Sequence, residues 1–183
     1  MKNSILSFVL LISAILFSSV SCSSDGGNSN PPPTPNNEDT WKLDNYNFSR
    51  LTSNQTSTTY VNGNPFTILN IDSNTNNSND PFKTCNLTII FNTSTTGNYT
   101  IKSQTSVVSN TTQKIMDIRC IVSNGLGSGA TYESIDSNLT ATVTQINGKF
   151  VVLINEPITL NRTSNNGLSQ APQTFTFRCN NVR

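Results

Sequence analysis

From Thr40 to the end of the chain, apolar side chains recur at every second position. Leu87, Ile89 and Phe91 alternate with Thr88, Ile90 and Asn92, and Tyr99 and Ile101 with Thr100 and Lys102. Met116, Ile118, Cys120 and Val122 alternate with Asp117, Arg119 and Ile121; Phe175, Phe177 and Cys179 alternate with Thr174, Thr176 and Arg178. A period of two sends successive side chains to opposite faces of a strand. No long window keeps the apolar i, i+3, i+4, i+7 spacing of a helix without Gly or a Thr/Asn cluster interrupting it. Strands are predicted near 41–51, 57–61, 65–71, 84–91, 98–104, 113–122, 130–135, 138–146, 149–155, 157–163 and 173–180. Short strands separated by Asn, Gly and Ser turns predict an all-β fold, an antiparallel β-sandwich of about ten strands, with a small β-barrel as the alternative.

One hairpin is specified in detail. Asn147–Gly148 is the pair favoured in two-residue type I′ loops, whose twist matches paired strands. That loop sets Ile146 opposite Lys149, Gln145 opposite Phe150, Val143 opposite Val152 and Ala141 opposite Ile154. Leu139, Ala141, Val143, Phe150, Val152 and Ile154 then share one face, and Thr142 and Thr144 lie on the other. A slip of one residue would bury the Thr row. The second face, which also carries Val151 and Leu153, is half apolar, so something is expected to cover part of it.

The N-terminus reads differently. Lys2 precedes a 13-residue apolar stretch from Ile5 to Phe17, followed by Ser18, Ser19, Val20, Ser21 and Cys22. Thirteen residues are too few for a ~30 Å hydrocarbon core, which needs about 20, but suit the central region of a secretory signal. Cys22 after Ser-Val-Ser resembles the lipobox of bacterial lipoproteins, with Ser19 where Leu is commonest. That resemblance implies a signal peptide over 1–21, lipidation of Cys22 and anchorage to a membrane. Residues 22–39, rich in Gly, Pro, Asn and Ser, read as a tether of flexible coil and polyproline II. Residues 40–183 are the β domain. Ser23–Ser24–Asp25 resembles the short export tag of Bacteroidetes surface lipoproteins, which implies the outer membrane and its outer face.

Composition narrows function mostly by exclusion. The chain has no His, so a His-dependent triad, a His-ligated zinc site and a proximal haem histidine are all excluded. Eleven basic residues face ten acidic ones, and without Lys2 the balance after the signal segment is neutral. A nucleic-acid partner, which needs a basic face, is not expected. No cofactor is expected either.

Candidate chemistry is sparse. Beyond Cys22 there are three cysteines, Cys85, Cys120 and Cys179, all on the apolar parity of their strands. Outside the cytoplasm three thiols permit one disulfide. Cys85–Cys179 is the favoured pair, because one begins a strand and the other ends one, with Cys120 as the alternative partner of Cys179. Asp72, Asn74, Asn76 and Asp80 start a D-x-[DN]-x-[DN] calcium loop, but Asn77 stands where Gly is needed and Lys83 where a bidentate Glu is needed. A solvated loop is the expectation there, and no metal. Gly125–Leu126–Gly127–Ser128–Gly129 misses both the nucleophile-elbow and the dinucleotide spacing, and is read as a loop. Carboxylate-only catalysis would have to draw on Asp117, Glu133, Asp136 and Glu156, and no spacing pairs two of them. Among the aromatics, Trp41 and Tyr99 are expected in the core. Tyr46 and Tyr60 sit in polar stretches and are the candidates for stacking a ligand.

Thr40–Trp41 opening the domain, Thr96–Gly97–Asn98–Tyr99–Thr100–Ile101, and Tyr132 ahead of Asn147–Gly148–Lys149 follow an order that resembles the β-sandwich lipoproteins abundant in Bacteroidetes. The resemblance implies an envelope location and a β-sandwich, and no particular activity. The expectation is a non-enzymatic, lipid-anchored envelope protein with a structural or interaction role. A glycan-binding accessory protein at the outer membrane is the alternative. The partners are a membrane, through the lipid, and a glycan or another envelope protein.

Overall fold

The computed structural model describes residues 39–75 and 77–183. Cys22, the signal segment, the tether as far as residue 38 and Asn76 lie outside them. The described chain is all-β and sandwich-like. Its strands are β1 (Thr40–Leu43), β2 (Tyr46–Thr59), β3 (Pro65–Thr75), β4 (Thr84–Asn92), β5 (Gly97–Ile101), β6 (Ile115–Ser123), β7 (Gly129–Ser134), β8 (Thr140–Ile146), β9 (Lys149–Asn166) and β10 (Thr174–Val182). One short helix, α1 (Gln104–Ser109), stands between β5 and β6.

All ten strands belong to one sheet, and its pairings return on themselves. Starting at β10, the order runs β1, β2, β3, β4, β6, and from β6 both β5–β8–β9 and β7–β9 lead back to β10. β5 pairs with the start of β6 at Thr100↔Ile115, and β7 pairs with its far half at Arg119↔Glu133. β9 is long enough to receive β8 near its beginning and β7 near its end. Only the β5–β6 pairing is parallel among the ladders joining named strands.

The alternation in the sequence becomes the division between inside and outside. Leu87, Ile89 and Phe91, Met116, Ile118, Cys120 and Val122, and Phe175 and Phe177 are all buried in a single core. At about 25 cal/mol per Å² of apolar area removed from water, that core is the main force holding the ring of strands together. The hairpin has the predicted register: Ile146↔Lys149, Gln145↔Phe150 and Val143↔Val152. Asn147 and Gly148 both have positive φ, 51° and 78°, as a type I′ turn requires. Ala141, Val143, Phe150, Val152 and Ile154 are buried, while Thr142 and Thr144 are exposed.

Three features depart from the expectation. β1 and β2 replace the strands predicted at 41–51 and 57–61: the chain turns at Asp44, whose φ is 50°, and β2 then runs unbroken to Thr59. In β2 a bulge between Arg50 and Thr52 turns Leu51 out to solvent, 61% exposed. The strands predicted at 149–155 and 157–163 are one strand, β9, because Pro157 falls in a bulge rather than at a break. α1 was not expected at all. Ser103 caps it by accepting from Ser106 N–H, and Val107 is its buried side chain. α1 packs on β6 and β4.

Candidate functional site

Across the neighbouring strands β2, β1 and β10, the register places Asn47 opposite Lys42 and Lys42 opposite Arg178. The next strand, β9, is bulged at this level. Phe177 pairs with Ile158 and Cys179 with Ile154, so Asn155, Glu156 and Pro157 face Arg178 alone. Extra residues on one side of an antiparallel pair locally open the ladder, and a cleft of about 480 Å³ lies there. Trp41, Cys179 and Ile154, opposite one another across three strands, also line it, with their side chains turned into the core. Thr40, Lys42, Asn47, Asn155, Arg178 and Asn180 complete the lining.

The lining is chemically one-sided. It carries two cations and no carboxylate; Glu156, in the bulge opposite Arg178, is exposed, lies outside the lining and makes no ion pair among the described residues. Among the described residues neither Lys42 nor Arg178 has an ion-pair partner; the ion pairs there are Arg50–Asp39, Arg183–Asp39 and Arg119–Glu133. Placing like charges opposite one another on paired strands is destabilising. A second unmet demand lies on the core side of β1. Trp41 is 1% exposed, and its indole N–H has no hydrogen-bond partner among the described residues. A buried donor without an acceptor costs about 1–3 kcal/mol. In the sequence Trp41, Cys179 and Ile154 draw notice as inward-facing residues and the lining as a cleft not at all, because the cleft joins positions about 140 apart and depends on a bulge that alternation does not reveal.

The residues singled out in the sequence take other roles. Tyr46 is half-buried, with its ring edge-on to Phe82 at 4.8 Å and to Phe175 at 6.2 Å. Tyr60, also half-buried, stacks on Phe66 at 4.2 Å and donates its hydroxyl to Asn92 Oδ1 at 2.9 Å. Trp41, Tyr99 and Tyr132 are fully buried. The rings are therefore engaged with the protein itself, and the described residues offer no row of exposed aromatic faces.

The expected disulfide is corrected by the structure: Cys85, Cys120 and Cys179 are all free and buried. Cys85 on β4 faces Ser73 and Val122, whereas Cys179 on β10 faces Trp41 and Ile154, with β1, β2 and β3 between the two strands. Beginning one strand and ending another does not make two strands neighbours. Cys120 faces Leu87 and Tyr132, and the Cys179 thiol donates to Val152 O at 3.7 Å. Burial, with Cys85 beside it, pushes the Cys120 thiol well up, and burial pushes that of Cys179 up to about 12. These are core side chains, not reactive ones.

The stretch resembling a calcium loop is filled by protein groups. Asp72 accepts from Thr52 Oγ1 and Asn86 Nδ2, and Asp80 accepts from Thr75 Oγ1 and Asn77 Nδ2. Asn74 lies exposed in β3. The Lys83 ammonium donates to the carbonyls of Ser78 and Asp80, supplying the positive charge there. No cluster of three or more potential metal ligands occurs among the described residues.

Of the carboxylates, Asp117 is 1% exposed and Glu133 pairs with Arg119 at 2.8 Å. Burial raises the Asp117 carboxyl to about 6, with the nearby charge of Glu133 adding to it against a hydrogen bond from Ser134 and the charge of Arg119. Asp136 is exposed and accepts from Ser103 and Ser106 at the start of α1, which lowers its carboxyl. Comparison with family models, with curated proteins and with solved structures finds no match for this chain.

Proposed function

We propose that this protein is a non-enzymatic, lipid-anchored module of the bacterial outer envelope that binds a partner in the cleft between β1 and β10. The observation that carries the binding role is the cleft itself: Lys42 and Arg178, without an ion-pair partner among the described residues, and amides from Asn47 and Asn155. Binding sites combine a concave surface with a few converging polar groups, and this cleft has the size of one. The anchoring role rests on Cys22 and the segment before it. Two or more acyl chains there are sufficient for stable attachment.

Two measurements test the reading. The first is fractionation: Cys22→Ala should move the protein from the membrane pellet to a soluble or unprocessed form. A mature, detergent-dependent variant still in the membrane would sink the anchor. The second is an array of envelope-type glycans and peptides, probed with the full chain and with Lys42→Glu/Arg178→Glu. Ligands should be retained by the native chain, lost by the variant and recovered unchanged by mass spectrometry. A cleaved ligand would make the protein an enzyme, and binding indifferent to the variant would place the partner elsewhere.

A further inference from the structure

We infer that the cleft between β1 and β10 is a site for an acidic saccharide, its negative group held between Lys42 and Arg178 and its hydroxyls by the flanking asparagines; this rests on the binding role proposed above.

The charge pattern selects the sign of the ligand. Two cations directly opposite each other, without a carboxylate in the lining, leave a positive field that an anion relieves. Arginine presents a rigid fork of donors suited to a carboxylate or sulfate, and lysine adds a point charge from the adjacent strand. The amides select the remainder of the molecule. Asn47 and Asn155 stand beyond Lys42 and Arg178 on the two outer strands of the row, so a ligand bridging the cations meets an amide at each end. Each amide offers both a donor and an acceptor, which suits neighbouring hydroxyls better than it suits a bare inorganic ion. Tyr46 and Tyr60, the rings that could have stacked a neutral sugar, are packed against other aromatics, so recognition here depends on charge and hydrogen bonds.

The chain contains one tryptophan, Trp41, which lines the cleft while its ring packs on Phe48 in the core, on the opposite face from Lys42 and Arg178. Binding is therefore read by isothermal titration calorimetry. The full chain, purified in detergent, is titrated with tri-galacturonic acid, with its methyl ester, and with inorganic sulfate. The expected result is a saturable heat of binding with the acid that weakens as salt rises. The ester should bind at least about tenfold more weakly, the equivalent of one lost charge-assisted contact. Arg178→Gln and Lys42→Gln should each lower affinity for the acid by about the same factor. Equal binding of ester and acid, indifference to both variants, saturation by sulfate with the same affinity as the acid, or no response to the acid would each overturn the proposal. Where the acid fails but another ligand from the array binds in a manner that depends on Arg178, the binding role stands and the saccharide assignment falls. No Arg178-dependent heat of binding with any ligand removes both.

Discussion

Thr142 and Thr144 on β8 and Asp117 on β6 occupy the same kind of position. Each is a polar residue between apolar ones in an alternating strand, on the parity that points away from the core. The threonines are exposed, as alternation implies, but Asp117 is buried. The difference comes from what lies over the sheet. Nothing in the hairpin covers Thr142 or Thr144, whereas Lys102, just after β5, and Ser134, at the end of β7, meet at Asp117, and α1 packs on β6. Ser134 Oγ is 3.0 Å from Asp117, 2.7 Å from Lys102 O, and accepts from Ile118 N–H. A hydroxyl has one proton, so Ser134 cannot donate to both Lys102 O and an ionised Asp117. A protonated Asp117 supplies its own donor, and all three contacts are then satisfied. Alternation sets the face of a side chain, and the connections decide whether that face is wet.

The largest effect should come from ignoring the inner face. Val152 pairs with Val143 on one side and Val182 on the other, and all three are buried. Val152→Asp leaves a carboxylate there without a partner, at a cost of several kcal/mol or forced protonation. That is a large share of the ~5–15 kcal/mol typical of a domain. Thr144→Asp, on the wet face, should cost about 1 kcal/mol or less. Thermal melts of the two variants compare the faces directly, and similar losses would refute the division between them.

Asp117 provides the next test, with the opposite sign. Its carboxyl is raised to about 6 in the folded protein, against about 3.9 in an unfolded chain. The folded state therefore binds the proton more tightly. The stability this contributes is full below about pH 4 and is lost as pH rises through 6. Above that, folding must carry a desolvated charge. Asp117→Asn should raise stability at pH 7.5 by up to about 3 kcal/mol and flatten the dependence between pH 4 and 6. Denaturant titrations across that range decide it, and an unchanged slope would mean Asp117 ionises normally beneath α1.

The hairpin's legibility and the opacity of the Asp117 region share one explanation. Asn147–Gly148 and the strands on either side are contiguous, so local turn chemistry fixes the register. α1 spans six residues, too few to display a helical period, and what holds it is tertiary: the buried Val107 and the Asp136 carboxylate receiving Ser103 and Ser106. The cleft was harder still. Its ladder pairs Thr40 with Asn180, and its opening depends on three residues of β9 opposite one of β10. The same distance in sequence misled the disulfide expectation, since parity showed that Cys85 and Cys179 point inward but not that three strands separate them.

The cysteines allow a comparison within the core. Cys120→Ser sets a hydroxyl among Leu87, Tyr132 and other buried side chains, costing about 1–3 kcal/mol if no acceptor is reached. Cys179→Ser replaces a thiol that already donates to Val152 O, so its loss should be smaller. Chemical denaturation of the two variants gives the ranking. In parallel, alkylation of the unreduced protein should label Cys85, Cys120 and Cys179 in denaturant and leave them unlabelled when folded. A bridge between any two would break that pattern.

The smallest expected effect separates function from stability on a third outward face. Lys42 and Arg178 are exposed, so solvent screens their repulsion, and a single such pair is worth only a few tenths of a kcal/mol. Lys42→Gln should therefore raise stability by about 0.3 kcal/mol at low salt. The gain should vanish near 1 M salt, where the Debye length falls to about 3 Å. A change this small is best read by comparing denaturation midpoints at the two salt concentrations, with Arg178→Gln as the reciprocal variant. The double variant then sharpens the result. If the two charges act on each other, removing the second should add nothing beyond removing the first, whereas independent sites would give additive changes. Destabilisation by either single variant at low salt would mean that the cation contributes to folding through a contact with the protein. The pair would then no longer stand as charge held in reserve for a ligand.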